Sequence, residues 1–165
     1  MIYTHRLIIR QLALADAPFI LALLNQPSFI GNLGDKGVRT IADAEQYLQQ
    51  GPLASYQQHG FGLLALQLAG SEQLIGICGL LQREQLPAPD LGYALLPQYT
   101  GQGFAEEAAK ACLQLAVALN IPSLFAVVNT DNSRSIRLLE QLQFQYVEPH
   151  RLENSPPLAL YQLSF

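Results

Sequence analysis

The sequence predicts an α/β fold: a mixed, mostly antiparallel sheet flanked by helices on both faces. Three observations predict it. Short apolar runs of strand length recur along the 165 residues, segments of helical spacing alternate with them, and residues 90–128 read as strand, glycine turn, crossover helix and strand. No repeat, linker or low-complexity tract interrupts this order, so one domain over residues 1–165 is expected, long enough to bury a substantial core.

Residues 5–10 alternate as a strand, with Leu7 and Ile9 on one face and Arg6, Ile8 and Arg10 on the other. A helix then starts at Asp16, carries Pro18 in its first turn and ends at Asn25-Gln26-Pro27. Residues 28–39 hold three glycines and read as an exposed loop. Thr40 caps a second helix whose Ile41, Ala44, Tyr47 and Leu48 share a face, and a short helical piece covers 53–58. The apolar runs Phe61 to Leu68 and Leu74 to Gln82, joined by Ala69-Gly70-Ser71-Glu72, read as a hairpin. Pro87 and Pro89 precede a strand beginning at Asp90. After Gly103 a helix buries Ala105, Ala108, Cys112, Leu115 and Leu119, and Asn120 followed by Pro122 ends it. Leu124 to Val128 is the next strand, Asp131 or Asn132 starts a helix over 133–142, and strands at 144–149 and 158–164 close the chain.

Composition narrows the function. Half the residues are hydrophobic and only 13% are charged, which argues against disorder. No apolar run approaches the roughly 20 residues needed to cross a bilayer, and the N-terminus lacks a signal-like apolar core, so no membrane association is expected. Nine Lys and Arg residues are spread without a cluster in a chain of net charge −4, which disfavours nucleic acid as a partner. Cys78 and Cys112 are isolated and suit buried thiols in a reducing cytoplasm. Neither H-x-x-x-H nor C-x-x-C is present, His5 and His150 have no ligating neighbours, and no metal is expected.

The motif with most chemistry in it is Gln98-Tyr99-Thr100-Gly101-Gln102-Gly103-Phe104-Ala105. It links the strand run Leu91–Leu96 to a helix N-terminus, whose first N–H groups lack internal partners and whose dipole favours an anion. Gly101 and Gly103 allow a tight turn and close approach of a phosphate. A Walker-type G-x-x-x-x-G-K-[ST] is absent, and Glu106 stands where a dinucleotide fingerprint needs its third glycine. G-x-S-x-G is absent too.

Q-x-x-G-x-G followed by an aromatic residue and alanine resembles the acetyl-CoA pyrophosphate loop of the GNAT acyltransferases, in their RimJ/RimL-like branch. Thr4-His5-Arg6-Leu7-Ile8-Ile9-Arg10 is similar to the opening strand of that branch and Leu14-Ala15-Asp16-Ala17 to its first helix start. Leu74–Leu80 and Asp90-Leu91-Gly92-Tyr93 resemble its central strands, and Asn132 to Phe144 resembles N-x-x-S-[IV]-x-[LV]-x-E-x-L-G-F. These ordered matches span nearly the whole chain.

The resemblance implies a GNAT-type sheet splayed beside the strand at 90–96, with acetyl-CoA as cosubstrate in the gap. It implies that Tyr93, Leu95 and Leu96 meet the pantetheine arm, with a main-chain N–H polarising the thioester. Gly101, Gln102, Gly103, Phe104 and Ala105 would hold the pyrophosphate, and Asn132 and Ser135 would also bind the cofactor, Asn132 at its arm. Asn132 also reads simply as a helix N-cap, and Ser135 as a locally bonded first-turn serine. Two positions depart from the family pattern. Leu139 stands where many relatives place an acidic tyrosine, so Ser135, a water or a tyrosine from elsewhere must protonate the leaving thiolate. Gln143 replaces a turn glycine, at a cost of about 1–2 kcal/mol if left-handed.

Candidate bases are Asp90, Glu84 and His59; Asp90 either faces the cleft and handles the amine or is an ordinary strand-end acid. The expected function is transfer of an acetyl group to a primary amine, on a small molecule or a protein N-terminus, by direct attack in a ternary complex. The catalytic candidates are Asp90 and Ser135. The alternative is a catalytically silent acyl-CoA-binding sensor or assembly module. Substrate selection is expected from residues 28–39, the surroundings of His59 and the C-terminal strands. The sequence leaves the acceptor open, and both monomer and homodimer.

Overall fold

The computed structural model describes residues 1–153 and 155–165. Its strands are β1 (Ile2–Tyr3), β2 (Leu7–Gln11), β3 (Leu63–Leu68), β4 (Leu74–Leu81), β5 (Asp90–Leu95), β6 (Ser123–Asn129), β7 (Gln145–His150) and β8 (Leu158–Ser164). They form one sheet in the order β1-β2-β3-β4-β5-β6-β8-β7. Every neighbouring pair is antiparallel except β5 and β6. The helices are α1 (Ala17–Leu24), α2 (Pro27–Leu33), α3 (Ile41–Leu48), α4 (Ala54–His59), α5 (Phe104–Ala118) and α6 (Ser133–Gln141). The mixed, mostly antiparallel sheet with helices on both faces is as the sequence predicts.

Alternation along β3 divides the core between the two faces. Leu64 and Leu66 join Leu7, Ile9, Cys78 and the buried side of α5 and α6. Leu63 and Ala65 face the other way, against Leu12 and against Ile20, Leu23, Ala44 and Leu48 from α1 and α3. Thr40 caps α3 by accepting the Asp43 N–H at 3.0 Å, while the Asp43 carboxylate takes the Thr40 N–H at 3.2 Å, a reciprocal capping box.

Two expectations need correction. Residues 28–39 are not loop throughout, because Pro27–Leu33 is α2. Extended Gln26 followed by Pro27 at the first helical position starts it, burial of Phe29 anchors it, and Gly34 at φ 88 ends it. Gly31 does not break it, since one glycine costs only about 1 kcal/mol. The buried side of α5 is also rotated from the expected stripe. Phe104, Ala108, Ala109, Ala111, Cys112 and Ala116 are buried, whereas Leu115 is half-buried and Leu119 is exposed. The side rich in alanine lets the helix approach the sheet closely, so small side chains win the core and longer ones are left outside.

The feature that makes the site lies between β5 and β6. They pair in register only at Asp90 and Phe125, where the Phe125 N–H donates to the Pro89 carbonyl at 2.9 Å. Beyond that point they diverge, because β5 must run out into the turn that starts α5.

Candidate active site

The divergence opens a cavity of about 860 Å³, lined by β5 from Asp90 to Leu95, the glycine turn, the end of β6 and the first turns of α6. The register of β4 and β5 decides which main-chain groups reach it. The Leu96 N–H donates to the Ile75 carbonyl at 2.8 Å, and Ile77 pairs with Ala94 and Gly79 with Gly92. In an antiparallel ladder, alternate residues turn their polar groups away from the partner strand. The N–H and C=O groups of Tyr93 and Leu95 therefore face the gap, where β6 is too far away to pair with them.

The glycine turn lies at the mouth of this gap. Gly101 and Gly103 take φ 74 and 85, left-handed values that favour glycine. A Cβ at Gly101 would stand 3.7 Å from the Arg134 guanidinium, and one at Gly103 3.2 Å from that of Arg6. The first N–H groups of α5 receive no side-chain cap. The turn thus combines uncapped donors, missing side-chain bulk and the Arg134 cation, which fits a pyrophosphate.

Arg6 is clamped. Its Nε donates to Glu107 at 2.8 Å, its Nη1 donates to the Gln102 carbonyl at 2.9 Å, and the guanidinium lies 4.1 Å from the centre of the Phe104 ring. Glu107 also accepts the Thr4 hydroxyl and, at 2.7 Å, the Arg6 N–H. Partial burial pushes the Glu107 carboxyl up, but these donors outweigh it and hold its pKa below the ordinary glutamate range. Thr4 and Arg6, in the connection between β1 and β2, therefore brace the turn from outside the cavity.

Asp90, Tyr93, Leu95, Gly101, Gly103, Ala105, Asn132 and Ser135 all line the cavity. Leu96, Gln102 and Phe104 lie outside its lining. Leu96 is buried in the core beside α1 and α3, and both its main-chain groups are taken, by Ile75 and Tyr99. The Gln102 side chain bonds the Gln98 carbonyl at 2.8 Å, and Phe104 packs edge-on against Tyr99. Asn132 is an N-cap, accepting the Ser135 N–H on Oδ1 at 3.2 Å.

The Tyr93 hydroxyl is hydrogen-bonded to the Ser135 hydroxyl. Burial pushes the phenol up to about 12, partly offset by that hydrogen bond, so it stays protonated at any working pH. Asp90 is 1% exposed, and the Arg83 Nε donates to both its oxygens at 3.0 and 3.2 Å. Burial raises the Asp90 pKa, and the Arg83 charge opposes that rise. Of the other two base candidates, His59 stacks on Phe61 at 5.6 Å, on the wall of a second cavity, and Glu84 lines neither cavity. Sequence reasoning missed Arg134 and Arg137, which also line the first cavity; their i, i+3 spacing after Asn132 was a readable signal.

Among the described residues no cluster of His, Cys, Asp and Glu could hold a metal, and no helix is long and apolar enough to cross a membrane.

Comparison with known proteins identifies the family. A family model for the acetyltransferase (GNAT) domain matches residues 6–145. The uncharacterized N-acetyltransferase YoaA of Bacillus subtilis is 30% identical over 146 residues, covering 86% of this chain and 81% of YoaA. An acetyltransferase from Agrobacterium tumefaciens, 27% identical, superposes with a TM-score of 0.83 over 99% of this chain and 94% of that one. The RimL alpha-N-protein acetyltransferase in complex with coenzyme A shares the fold, with a TM-score of 0.80 over 98% of this chain and 95% of its own at 16% identity. The chain belongs to the GNAT acetyltransferase family and is an acyltransferase.

Proposed function

We propose that the protein transfers the acetyl group of acetyl-CoA to a primary amine by direct attack in a ternary complex. The observation that carries this reading is the gap beside β5. There the free main-chain groups of Tyr93 and Leu95 lead directly to the left-handed glycine turn at the start of α5. A pantetheine arm needs amide partners of that kind, and a pyrophosphate needs a turn of that kind. The coenzyme A bound by RimL supports the same use of the shared fold.

In this reading Gly101, Gly103, Ala105 and Arg134 hold the pyrophosphate, and Arg6 shapes the turn. Tyr93 and Leu95 offer main-chain groups to the arm, and Asn132 has its Nδ2 left for it. The amine nitrogen bonds to the acetyl carbon, the carbon–sulfur bond breaks, and the sulfur leaves as a thiol. Ser135 supplies that proton and recovers one from Tyr93, whose phenol is the tyrosine hydroxyl that Leu139 does not provide. The proton shed by the attacking nitrogen as the amide forms returns through solvent to the phenol. The ammonium proton passes to solvent. Asp90 acts at the acceptor end through Arg83, since both its oxygens are engaged there.

The reading also takes residues 1–165 as one domain in a reducing cytoplasm. Cys78 and Cys112 fit that setting as buried free thiols, hydrogen-bonded to each other with sulfurs 3.5 Å apart.

The test is free-thiol release from acetyl-CoA over a panel of amines, with mass spectrometry of each acceptor. Thiol release that depends on an amine and yields the acetylated amine supports transfer. Tight acetyl-CoA binding with no release on any amine supports the silent binding module instead.

A further inference from the structure

A second cavity, of about 430 Å³, meets the first along Phe29, Leu33, Arg83 and Gly92–Ala94, so that Arg83 faces both. It lies on the α1–α3 side of the sheet, at the edge of β5 where an acceptor must approach if the coenzyme fills the β5–β6 gap. Its wall includes Lys36, Tyr47, Ser55, His59 and Arg83 over an apolar floor from Phe29, Leu63 and Ile77, and it contains no carboxylate. A cavity built for a polyamine or another oligocation needs carboxylates to face its charges. This one presents the opposite sign.

Among the described residues Lys36 is unpaired, and Arg83, though paired with Asp90, keeps its terminal nitrogens open. Lys36 has no ion-pair partner among the described residues, unlike its loop neighbour Arg39, which is held by Asp35 and Asn25. Arg83 is anchored through Nε alone, so Asp90 fixes its direction while neither terminal Nη nitrogen makes a hydrogen bond among the described residues. A guanidinium steered in this way offers two parallel N–H groups to a planar or tetrahedral anion. Lys36 is exposed as a residue, but crowding of its ammonium by the cavity wall, and then the nearby Arg83 charge, lower its pKa from the ordinary lysine value, as for an ammonium without a counter-ion.

From this arrangement, and resting on the acetyl-transfer reading above, we infer that the acceptor is a small amine that also carries an anionic group, a carboxylate or a phosphate, bound between Lys36 and Arg83. The anion anchors the molecule in the second cavity, and the amine points across Gly92–Ala94 to the first. The same positive field disfavours an incoming ammonium and favours the neutral nucleophile, which lightens the demand for a dedicated base.

The experiment compares matched pairs: amino acids against their amides, and aminoalkyl phosphates against the corresponding alcohols, with spermidine as an oligocation. Two readouts are taken, kcat/KM for thiol release and calorimetric affinity for the enzyme saturated with coenzyme A. The wild type should favour the anionic member of at least one pair by about 10–10²-fold, as a charge-assisted hydrogen bond gives. The favoured pair shows whether the anion is carboxylate or phosphate. Lys36→Glu should abolish the preference and Lys36→Arg keep it; the residue is exposed, so neither variant threatens the fold.

A wild type that prefers the amides, the alcohols or spermidine overturns the inference and leaves acetyl transfer intact. So does an unchanged ratio in Lys36→Glu, and so does binding of neither member of any pair. Selective binding of anionic amines with no thiol release upholds the acceptor class and contradicts the transfer reading.

Discussion

The phenol of Tyr93, on the free edge of β5, is hydrogen-bonded to the hydroxyl of Ser135 in the first turn of α6. This contact bridges the mouth of the β5–β6 gap and joins the only two hydroxyl side chains on which the proposed protonation relies. Ser135→Ala should lower kcat by about 10²-fold, the low end of what a positioned acid contributes. Tyr93→Phe, which keeps the ring but removes the partner hydroxyl, should cost about tenfold, or roughly 1.4 kcal/mol of barrier. Steady-state rates on an accepted amine check both; full turnover in Ser135→Ala removes the serine from the mechanism. Supplying the missing tyrosine as Leu139→Tyr is not an equivalent repair, because Leu139 is packed in the core, where added volume typically costs about 1–3 kcal/mol.

Asp90→Asn should act on the acceptor and not on acetyl-CoA. The amide keeps the shape but loses the charge that directs Arg83, so KM for the acceptor should rise several-fold while calorimetric affinity for acetyl-CoA stays within about twofold, as expected for a carboxylate whose side-chain hydrogen bonds among the described residues are with the guanidinium. A loss of turnover with unchanged acceptor KM would place Asp90 on the proton itself.

Acid stability carries the signature of Glu107. Its folded pKa lies below the ordinary 4.5, so the stability it contributes is complete above that value and is lost as pH falls through the folded pKa. At pH 7, Glu107→Gln should cost about 1–2 kcal/mol, the worth of a charge-assisted hydrogen bond. Urea titrations should show the gap between wild type and variant closing below pH 4.5. Asp90 has the opposite sign: burial raises its pKa, so its charged form weighs against the fold as pH rises through the folded value. A gap that widens on acidification would contradict the Glu107 account.

Gln143 sits at φ 74 after α6, where the family pattern has glycine. Relief of about 1–2 kcal/mol of left-handed strain, less the greater flexibility of unfolded glycine, should leave Gln143→Gly more stable by up to about 1 kcal/mol. Thermal unfolding reads this as a rise of a few degrees with no change in turnover. A lower midpoint would show that the glutamine side chain contributes more than it strains.

The parts of the site legible in the sequence were those written into consecutive residues. The glycine turn, the cap at Asn132 and the left-handed turn at Gln143 depend on local backbone needs, and local backbone needs leave marks on residue type. The strand at 90–95 was equally legible from its apolar pattern. Contacts across elements were not. Nothing adjacent to Tyr93 announces Ser135, 42 residues later, and nothing in Thr4 and Arg6 announces Glu107. The loop at 28–39 misled for a related reason. Three glycines outweighed Pro27 as a helix start, because burial of Phe29 against another element is not visible in the segment itself. The second cavity was beyond reach for the same cause, since Lys36 and Arg83 meet only through the fold.

The central claim, that acetyl-CoA lies beside β5 with its pyrophosphate on the glycine turn, is tested most directly by calorimetric titration of acetyl-CoA into wild type, Gly103→Val and Arg134→Glu. Gly103→Val places a branched side chain at φ 85 on the phosphate path. Arg134→Glu reverses a charge that has no ion-pair partner among the described residues and so leaves the fold alone. Micromolar-range binding in the wild type, weakened by at least about tenfold in each variant as loss of a charge-assisted phosphate contact requires, is the predicted result. Unchanged affinity in Arg134→Glu and in a folded Gly103→Val would contradict it.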